Sequence, residues 1–431
     1  MMRNLEEVQV VVLMGGLGTR LKEYTKDCPK SLVRVGSKPF FDYELELLMQ
    51  WGFRRFLFLI GYQADMIEEY YGDGSDRNIS IQYCMDGEKL LGTGGAVRRA
   101  LPYLDEDFLL IYGDSFMDIN YEESVYRYYQ GKENGNRALM TVLKNNDSFD
   151  KSNVIVKDGK IVLYDKHNTV PEMEYIDYGV CMYERSLFEN YPEDTAFDIA
   201  TIQTALSREG KLTAHVVTKR FYEIGSPESL KEFTEYTKYR FTEAHPAIFL
   251  DRDGVINEIV YNEDTELMDS AMNVSQFHMF PYVPKAIEAM KEKGYYVFVV
   301  TNQPGAAKGK TTLLNLYDIN TLLCETTNVD DTFMCIHYPQ MQPLTKEPYL
   351  IKTCDCRKPK PGLLKRAAEK YHIDLSASFM VGDSYTDVLC GQAMGVKTVL
   401  LGGMRCDVCN RLSGNKPDYI LGDLSEVIQI I

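Results

Sequence analysis

Short apolar runs that lead directly into polar loops constrain the fold of this chain more than any other feature. Residues 10–14 read VVVLM and run into Gly15 and Gly16, while residues 247–250 read AIFL and run into Asp251. Continuous apolar runs of this length are typical of parallel strands that are buried on both faces. Because ligands of parallel sheets bind beyond the carboxyl ends of the strands, the sequence predicts functional sites in these loops.

Further strand candidates alternate with helical stretches along the whole chain. They are residues 56–60, 79–84, 108–112, 296–300 and 379–381. Residues 39–52 have apolar side chains at helical spacing and end at Gly52, which predicts a helix. This alternation predicts an α/β fold with two doubly wound, Rossmann-like domains on mostly parallel sheets. A length of 431 residues is too great for one ordinary core, and we place the domains at 1–243 and 246–431.

Composition restricts the partners of the protein. A formal net charge of −16 argues against binding to nucleic acid or to an anionic membrane, so anionic substrates must be held by local cations and metal ions. The ten cysteines and the short opening apolar run, which is no secretory leader, predict a cytoplasmic protein whose thiols are free or metal-bound. Whether the protein forms a homo-oligomer is left open by the sequence.

The first glycine-rich loop has the composition of a phosphate-binding loop. Successive N–H groups of such a loop can meet phosphate oxygens, and Arg20 adds charge. Lys30 follows shortly afterwards and supplies a second cation, which makes the pattern much stronger than the glycines alone. Asp114, after the strand candidate 108–112, suits Mg²⁺, although an aspartate that caps a turn is an equal alternative for this residue taken alone.

Taken together, these motifs resemble the sugar-1-phosphate nucleotidyltransferases over residues 8–235. The resemblance covers GGLGTRL at 15–21, PK at 29–30, LGTGGA at 91–96, GD at 113–114, DK at 165–166, DYG at 177–179 and YEIG at 222–225. It implies that the nucleoside triphosphate and sugar phosphate are bound by Gly15, Gly16, Gly18, Thr19, Arg20, Lys30, Gly92, Thr93, Gly94 and Lys166.

The same resemblance implies that Asp114 and Glu223 hold Mg²⁺. The family usually has Asp at the second position, so the longer Glu223 is a departure that can shift the metal. In the reaction, an oxygen of a sugar 1-phosphate attacks the α-phosphorus and pyrophosphate leaves, so catalysis by Lys30 and Arg20 consists of positioning and charge neutralisation. For Lys166 the alternative is a solvated lysine after a strand.

The second half begins with two aspartates separated by one residue. Side chains at this spacing point to the same side of an extended segment, which allows Asp251 to attack phosphorus while Asp253 acts as general acid and base. A turn with two solvated aspartates is the alternative for this motif alone. At later strand ends lie Thr301, Asn302 and Gln303 for phosphate oxygens, Lys358 as a cation, and Asp383 with Asp387 as carboxylates for Mg²⁺.

These four signals resemble the haloacid dehalogenase superfamily of phosphatases over residues 246–431. The resemblance implies an aspartyl-phosphate intermediate on Asp251 that water hydrolyses. It also implies that Mg²⁺ is held by Asp251, by the backbone carbonyl of Asp253 and by Asp383.

A cysteine- and histidine-rich segment precedes the lysine. Three thiolates and one imidazole complete a closed tetrahedral zinc shell, which we predict from Cys335, His337, Cys354 and Cys356, with Arg357 directly after it as a substrate-binding residue. The segment resembles the heptose-1,7-bisphosphate 7-phosphatases and the related histidinol phosphatases. The chain departs from the heptose enzymes at Ser384, where they have Lys, and in a longer segment at 263–273. We interpret Cys406 and Cys409 as structural or incidental.

The fusion restricts the function more than either half does. A phosphatase that yields a heptose 1-phosphate would supply the acceptor of the transferase, so we expect a bifunctional enzyme that makes a nucleotide-activated heptose for surface polysaccharide, with GTP as the nucleotide. Two alternatives remain. In the first, both chemistries are kept, but they act on another sugar or on histidinol phosphate. In the second, the first half is a nucleotide-binding regulatory module fused to an active phosphatase.

Overall fold

The computed structural model of the chain describes residues 4–16, 18–21, 24–87, 89, 91–263, 266–404 and 406–431, without the side chains of Thr19, Cys406 and Asp407. It divides into two compact units, Met1–Thr237 and Lys238–Ile431. The predicted boundary at 243–246 stays a prediction. No helix in the described ranges is long and apolar enough to cross a membrane.

The first unit alternates strands and helices as far as its sixth strand and then becomes irregular. Its elements are β1 Gln9–Leu13, β2 Arg34–Val35, β3 Lys38–Pro39, α1 Phe40–Trp51, β4 Arg55–Ile60, α2 Ala64–Tyr71, β5 Ser80–Met85, α3 Gly92–Arg99, β6 Asp107–Tyr112, β7 Ser115–Phe116, α4 Tyr121–Glu133, β8 Ala138–Lys144, β9 Val154–Lys157, β10 Lys160–Tyr164, β11 Tyr175–Glu184, α5 Ser186–Glu189, α6 Ala200–Arg208, β12 Leu212–Val217, β13 Tyr222–Glu223 and α7 Pro227–Phe241, which continues past Thr237.

The main sheet of this unit has the order β5-β4-β1-β6-β11-β8-β12-β10-β9 among the described residues. β5, β4, β1 and β6 are parallel neighbours, as predicted. From β11 onwards the sheet is mixed, because β11 is antiparallel to both β6 and β8. The prediction of a mostly parallel sheet therefore holds for β5, β4, β1 and β6. In the remaining part, β8 and β12 are parallel, but β11 and the β9–β10 hairpin pair in antiparallel fashion, which needs no crossover helix.

The helix predicted at residues 39–52 is confirmed as α1. Gly52 ends it with φ of +106°, a left-handed conformation that glycine adopts without steric penalty. Phe41, Leu45 and Leu48 are buried in the core beside β1 and β4.

The second unit has a smaller, wholly parallel sheet. Its elements are β14 Ala247–Leu250, β15 Val260–Asn262, β16 Leu267–Asp269, α8 Val283–Glu292, β17 Tyr296–Asn302, α9 Leu313–Thr327, β18 Asp331–Cys335, α10 Gly362–Lys370, β19 Phe379–Gly382, α11 Tyr385–Met394, β20 Lys397–Leu401, α12 Cys406–Leu412 and β21 Tyr419–Leu421. In the described chain the strand order is β18-β17-β14-β19-β20-β21, and every neighbouring pair is parallel. This arrangement places the carboxyl ends of β14, β17 and β19 side by side.

Candidate active sites in the two units

In the first unit, a cation and two carboxylates meet beyond the ends of β1 and β6. The side-chain Nζ of Lys30 lies 2.5 Å from Asp114 Oδ2 and 3.8 Å from Glu223 Oε1. β13 pairs with β7 in antiparallel fashion, so that Glu223 lies opposite Ser115, the neighbour of Asp114. This small two-stranded ribbon brings together two carboxylates that are 109 positions apart in the sequence.

Arg20 joins the same cluster from the glycine loop. Its Nη2 lies 3.4 Å from Glu223 Oε1, and its side chain is 73% exposed. Burial and the charge of Asp114 raise the pKa of Glu223, against the opposing effect of Lys30 and Arg20. The cluster therefore holds two carboxylates, suitable for Mg²⁺, beside two cations that suit phosphate oxygens.

The glycine loop approaches the side chain of Asp86 closely. A Cβ atom at Gly15 would lie 2.3 Å from Asp86 Oδ2, so a larger residue there would require the Asp86 carboxylate to move. Gly18 has φ of +59°, a left-handed conformation, whereas Gly16 is exposed with open space around it. The side chain of Thr19 and the whole of Leu17 lie outside the described residues.

A second group of predicted residues meets at the amino end of α3. Thr93 Oγ1 donates a hydrogen bond of 3.1 Å to Asp198 Oδ1, and Lys166 Nζ lies 3.0 Å from Asp198 Oδ2. Asp198 also accepts a hydrogen bond from the N–H of Ala200. The sequence reasoning missed Asp198, because no local motif marks it and its partners lie 105 and 32 positions away.

Gly92 and Gly94 open α3 against the segment that precedes Asp198. Cβ atoms at these positions would lie 2.7 Å from the carbonyl oxygen of Phe197 and 2.2 Å from its ring. The glycines thus allow α3 to pack on this segment, which places Thr93 at the edge of the site.

In the second unit, a buried lysine joins two aspartates. Lys358 Nζ lies 2.9 Å from Asp251 Oδ1 and 2.6 Å from Asp387 Oδ1, and the side chains of Lys358 and Asp387 are each 1% exposed. Burial raises the pKa of Asp251 to about 7, against the opposing charge of Lys358. Burial alone would lower the pKa of Lys358, but the two carboxylates raise it above its ordinary value.

Asn302 at the end of β17 holds the backbone of this lysine. Its side chain accepts a hydrogen bond of 3.0 Å from the N–H of Lys358 and donates one of 3.1 Å to the carbonyl of the same residue. Ser384 begins α11 as its N-cap and donates a hydrogen bond of 2.6 Å to Asp387 Oδ2. The sequence assigned Asp387 to a metal site, and the structure shows that it is also the anionic partner of Lys358.

Asp253 lies in a separate hydrogen-bond network. Gln303 Nε2 donates to Asp253 Oδ2 at 2.6 Å and to Thr301 Oγ1 at 2.9 Å, so the amide predicted to meet phosphate instead orients the second aspartate. Arg252 Nη2 lies 3.2 Å from Asp253 Oδ1. Burial would raise the pKa of Asp253, but Arg252 and the hydrogen-bond donors around it lower the pKa below its ordinary value.

A cavity of about 320 Å³ opens above these carboxylates. Asp251, Asp253, Thr301, Asn302 and Asp383 line it, as does the β15–β16 hairpin through Met268 and Asp269. Oxygen atoms of Asp251, Asp383 and Asp387 lie within 4.8 Å of one another and could hold a metal ion. Gly254 has φ of +80°, a left-handed conformation that favours glycine, and a Cβ atom there would also lie 2.5 Å from Asp383 Oδ2.

The four predicted zinc ligands lie together at the end of β18. Cys335 Sγ is 3.6 Å from Cys354 Sγ and 3.3 Å from Cys356 Sγ, and His337 Nδ1 is 3.2 Å from Cys356 Sγ. Thiolates at about 2.3 Å from a zinc ion lie about 3.8 Å apart at the corners of a tetrahedron. The donor set and its spacing therefore fit a structural zinc ion.

Arg357 lies directly after the last of these ligands. Its guanidinium is 5.3 Å from the ring centroid of Tyr338, and its buried Nη1 has no hydrogen-bond partner in the described part of the chain. Cys409 is exposed, whereas the side chain of Cys406 lies outside the described residues.

Comparisons with known proteins agree with this division. The model of the nucleotidyl transferase family matches residues 9–239, more than half of the chain, and the HAD-hydrolase-like model matches residues 355–427. The D-glycero-alpha-D-manno-heptose 1-phosphate guanylyltransferase of Campylobacter jejuni is 26% identical over 52% of this chain and 98% of its own length. The D-glycero-beta-D-manno-heptose-1,7-bisphosphate 7-phosphatase of Escherichia coli is 34% identical over 43% of this chain and 93% of its own length.

Among solved structures, HddC from Yersinia pseudotuberculosis in complex with GMP-PN aligns with a TM-score of 0.45 and 26% identity. The alignment covers 54% of this chain and 100% of that chain.

The chain is thus a fusion of two Rossmann-like enzyme domains, a nucleotidyltransferase and a phosphatase. It belongs to the nucleotidyl transferase family through its first half and, through its second half, to the family of HAD-like phosphatases that includes the heptose bisphosphate phosphatase relatives.

Proposed function

We propose that the second unit removes the 7-phosphate of D-glycero-D-manno-heptose 1,7-bisphosphate, and that the first unit transfers GMP from GTP to the resulting heptose 1-phosphate. The product is a GDP-activated heptose, which is made in the cytoplasm and serves as a donor for surface polysaccharide. The single observation that carries the proposal is that one half of the chain is similar to a heptose 1-phosphate guanylyltransferase and the other half to heptose-1,7-bisphosphate 7-phosphatases, one of which is named for the same α-anomer.

The chemistry of the two steps restricts the anomer. Hydrolysis at C7 leaves C1 untouched, so the configuration at C1 of the bisphosphate passes unchanged to the transferase. The transferase relative is named for the α-anomer, and phosphatase relatives are named for the β-anomer and, in Photorhabdus laumondii, for the α-anomer. We therefore propose the α-anomer for both steps.

For the phosphatase, we propose that Asp251 attacks phosphorus and that Asp253 protonates the leaving oxygen. Asp253 then removes a proton from the water that hydrolyses the aspartyl phosphate. Lys358, Thr301 and Asn302 meet the phosphoryl oxygens. Asp251, Asp383 and the backbone carbonyl of Asp253 would hold Mg²⁺, which would supply neutralising charge, and the proximity of the Asp251 and Asp383 carboxylates supports this assignment. The contact of Lys358 with Asp251 supports the placement of the lysine beside the nucleophile.

Zinc held by Cys335, His337, Cys354 and Cys356 would fix the loop that carries Arg357, which we propose contacts the substrate. In the transferase, we propose that Asp114 and Glu223 bind Mg²⁺, that Lys30, Arg20 and the glycine loop hold the triphosphate, and that Thr93 and Lys166 contact the sugar phosphate.

The test uses the full chain with Mg²⁺, GTP and each anomer of the bisphosphate. We expect phosphate release, followed by pyrophosphate release, with the α-anomer. Asp251→Asn should lower phosphate release by at least ~10³-fold, since it removes the nucleophile. It should leave pyrophosphate release from heptose 1-phosphate and GTP unchanged.

Glu369→Gln, an exposed carboxylate on α10, is the matched control and should leave both activities unchanged. Faster hydrolysis of histidinol phosphate than of heptose bisphosphate would contradict the proposed substrate. Nucleotide binding without pyrophosphate release would favour a regulatory first unit.

A further inference from the structure

One buried glutamine joins the cysteine and histidine cluster to the second aspartate of the phosphatase site. Gln303 follows β17 directly and is 1% exposed. Its side-chain Nε2 donates hydrogen bonds of 2.6 Å to Asp253 Oδ2 and of 2.9 Å to Thr301 Oγ1. Its backbone N–H donates one of 2.7 Å to the carbonyl of Cys335, whose thiol belongs to the cluster. Gln303 thus contacts both sites at once.

The carboxylate of Asp253 determines which way round the amide lies. An ionised carboxylate only accepts hydrogen bonds, so the nitrogen of the Gln303 amide must face it, and the same nitrogen then donates to Thr301. Because the Thr301 oxygen accepts this bond, its hydroxyl proton can be donated to a phosphoryl oxygen. Both contacts therefore match the roles proposed above for Asp253 and Thr301.

Two other donors to Asp253 lie close to it in the sequence. Arg252 Nη2 lies 3.2 Å from each carboxylate oxygen, and Asn257 Nδ2 donates to Oδ1 at 3.0 Å. Because these residues belong to the same turn as Asp253, they hold its carboxylate relative to that turn. Gln303 follows β17, the strand beside β14, so it holds the carboxylate relative to Thr301 and the phosphate-binding strand ends.

The position of Gln303 depends in turn on the end of an edge strand. Among the described residues, β18 pairs with β17 alone, and residues 331–334 are partly exposed. Strand ends of this kind open readily. Cys335 is the last residue of β18, and a metal ion on its thiol would oppose that opening. It would thereby fix the carbonyl group to which Gln303 donates.

We propose that Gln303 is a positioning residue through which the zinc-binding cluster supports protonation of the leaving group. In this step a bond from Asp251 to phosphorus forms, the bond from phosphorus to the leaving oxygen breaks, and the proton of Asp253 passes to that oxygen. Gln303 holds Asp253 in place for this transfer. The inference rests on the proposed phosphatase activity, and it adds a second path to the one by which the cluster fixes Arg357 and Lys358.

Phenyl phosphate and para-nitrophenyl phosphate test this step, because their leaving groups are similar in size and differ in acidity. Nitrophenolate leaves without a proton, whereas the more basic phenolate needs the general acid. In Gln303→Met, kcat/KM should fall about 10- to 100-fold for phenyl phosphate and less than about 3-fold for para-nitrophenyl phosphate. The later hydrolysis of the aspartyl phosphate does not enter kcat/KM. Equal losses with the two aryl phosphates would overturn the role of Gln303.

The heptose bisphosphate gives a second measurement on the same variant. Its kcat should fall about 10- to 100-fold while KM changes little, because Gln303 acts through the general acid and not on substrate binding. A raised KM with unchanged kcat would overturn the proposal. Gln429→Met, at an exposed glutamine of the second unit, is the matched control and should keep wild-type kinetics with all three substrates.

Hydrogen exchange tests the link to zinc without a variant. When a chelator removes zinc from the wild-type protein, as followed by metal analysis, deuterium uptake at the N–H of Gln303 should increase. The ratio of kcat/KM for phenyl phosphate to that for para-nitrophenyl phosphate should fall in the same sample. Uptake in β20, three strands from β17 in the sheet, should stay unchanged. Unchanged uptake at Gln303 would overturn the link.

Failure of this inference can be distinguished from failure of the proposed function. No phosphate release by the wild-type protein from the heptose bisphosphate or from either aryl phosphate would overturn the phosphatase itself. An active wild-type protein whose Gln303→Met variant keeps the wild-type ratio for the two aryl phosphates would overturn the role of Gln303 alone.

Discussion

The two candidate active sites use the same kinds of side chain at very different depths. In the second unit, Lys358 and Asp387 are each 1% exposed and form an ion pair of 2.6 Å. In the first unit, the side chains of Lys30, Asp114 and Glu223 are 14%, 30% and 40% exposed. A protein nucleophile needs a fixed and desolvated environment before the substrate arrives, whereas a transfer between two substrates can be completed by the substrates and Mg²⁺.

The largest difference is expected when the lysine of each site is replaced by methionine. Lys358→Met leaves Asp251 and Asp387 buried together without a cation, so phosphate release should fall ~10²–10³-fold. The free energy of unfolding of the second unit should fall by about 3–5 kcal/mol. Phosphate-release kinetics and denaturant unfolding measure both effects.

Lys30→Met is the matched change in the more exposed site. Pyrophosphate release should fall ~10²–10³-fold, but stability should change by less than about 1 kcal/mol, because water can solvate Asp114 and Glu223. Similar stability losses in both variants would contradict the distinction between a buried and a solvated site.

A smaller effect is expected when one of the predicted zinc ligands of the second unit is replaced. Metal analysis should find one zinc ion per chain, and Cys356→Ser should lose it. Phosphate release should then fall ~10–100-fold, because Arg357 and Lys358 follow this ligand directly. Pyrophosphate release should be unchanged, and Cys409→Ser, at an exposed cysteine, is the matched control. The absence of zinc from wild-type protein that was purified without chelator would contradict this prediction.

The smallest effect is expected from the conservative change Glu223→Asp. Glu223→Asp restores the residue that the family usually carries and keeps the charge, so kcat of pyrophosphate release should change by less than about 10-fold, while Glu223→Gln should lower it ~10²-fold. The dependence of rate on Mg²⁺ concentration measures this. Equal activity of the Gln variant and the wild-type protein would remove Glu223 from the metal site.

Residues in local motifs could be predicted from the sequence, and those defined by long-range contacts could not. Asp251, Lys358 and the predicted zinc ligands stand in short patterns that can be recognised from residue type and spacing. Asp198 stands in no such pattern. It could be identified only through its contacts with Thr93 and Lys166 in the folded structure.

The sequence by itself determined the two α/β domains, the kind of chemistry in each and the grouping of three cysteines and one histidine into a candidate zinc site. Apolar runs, glycine loops and closely spaced ligands can be recognised in the sequence, because the residues involved are near one another along the chain. Only the tertiary structure decided that Glu223 reaches Asp114 through a two-stranded ribbon, that Asp387 pairs with Lys358, and that Gln303 serves Asp253. Such pairings depend on strand order and register, which bring distant residues within a few ångströms and which no local pattern encodes.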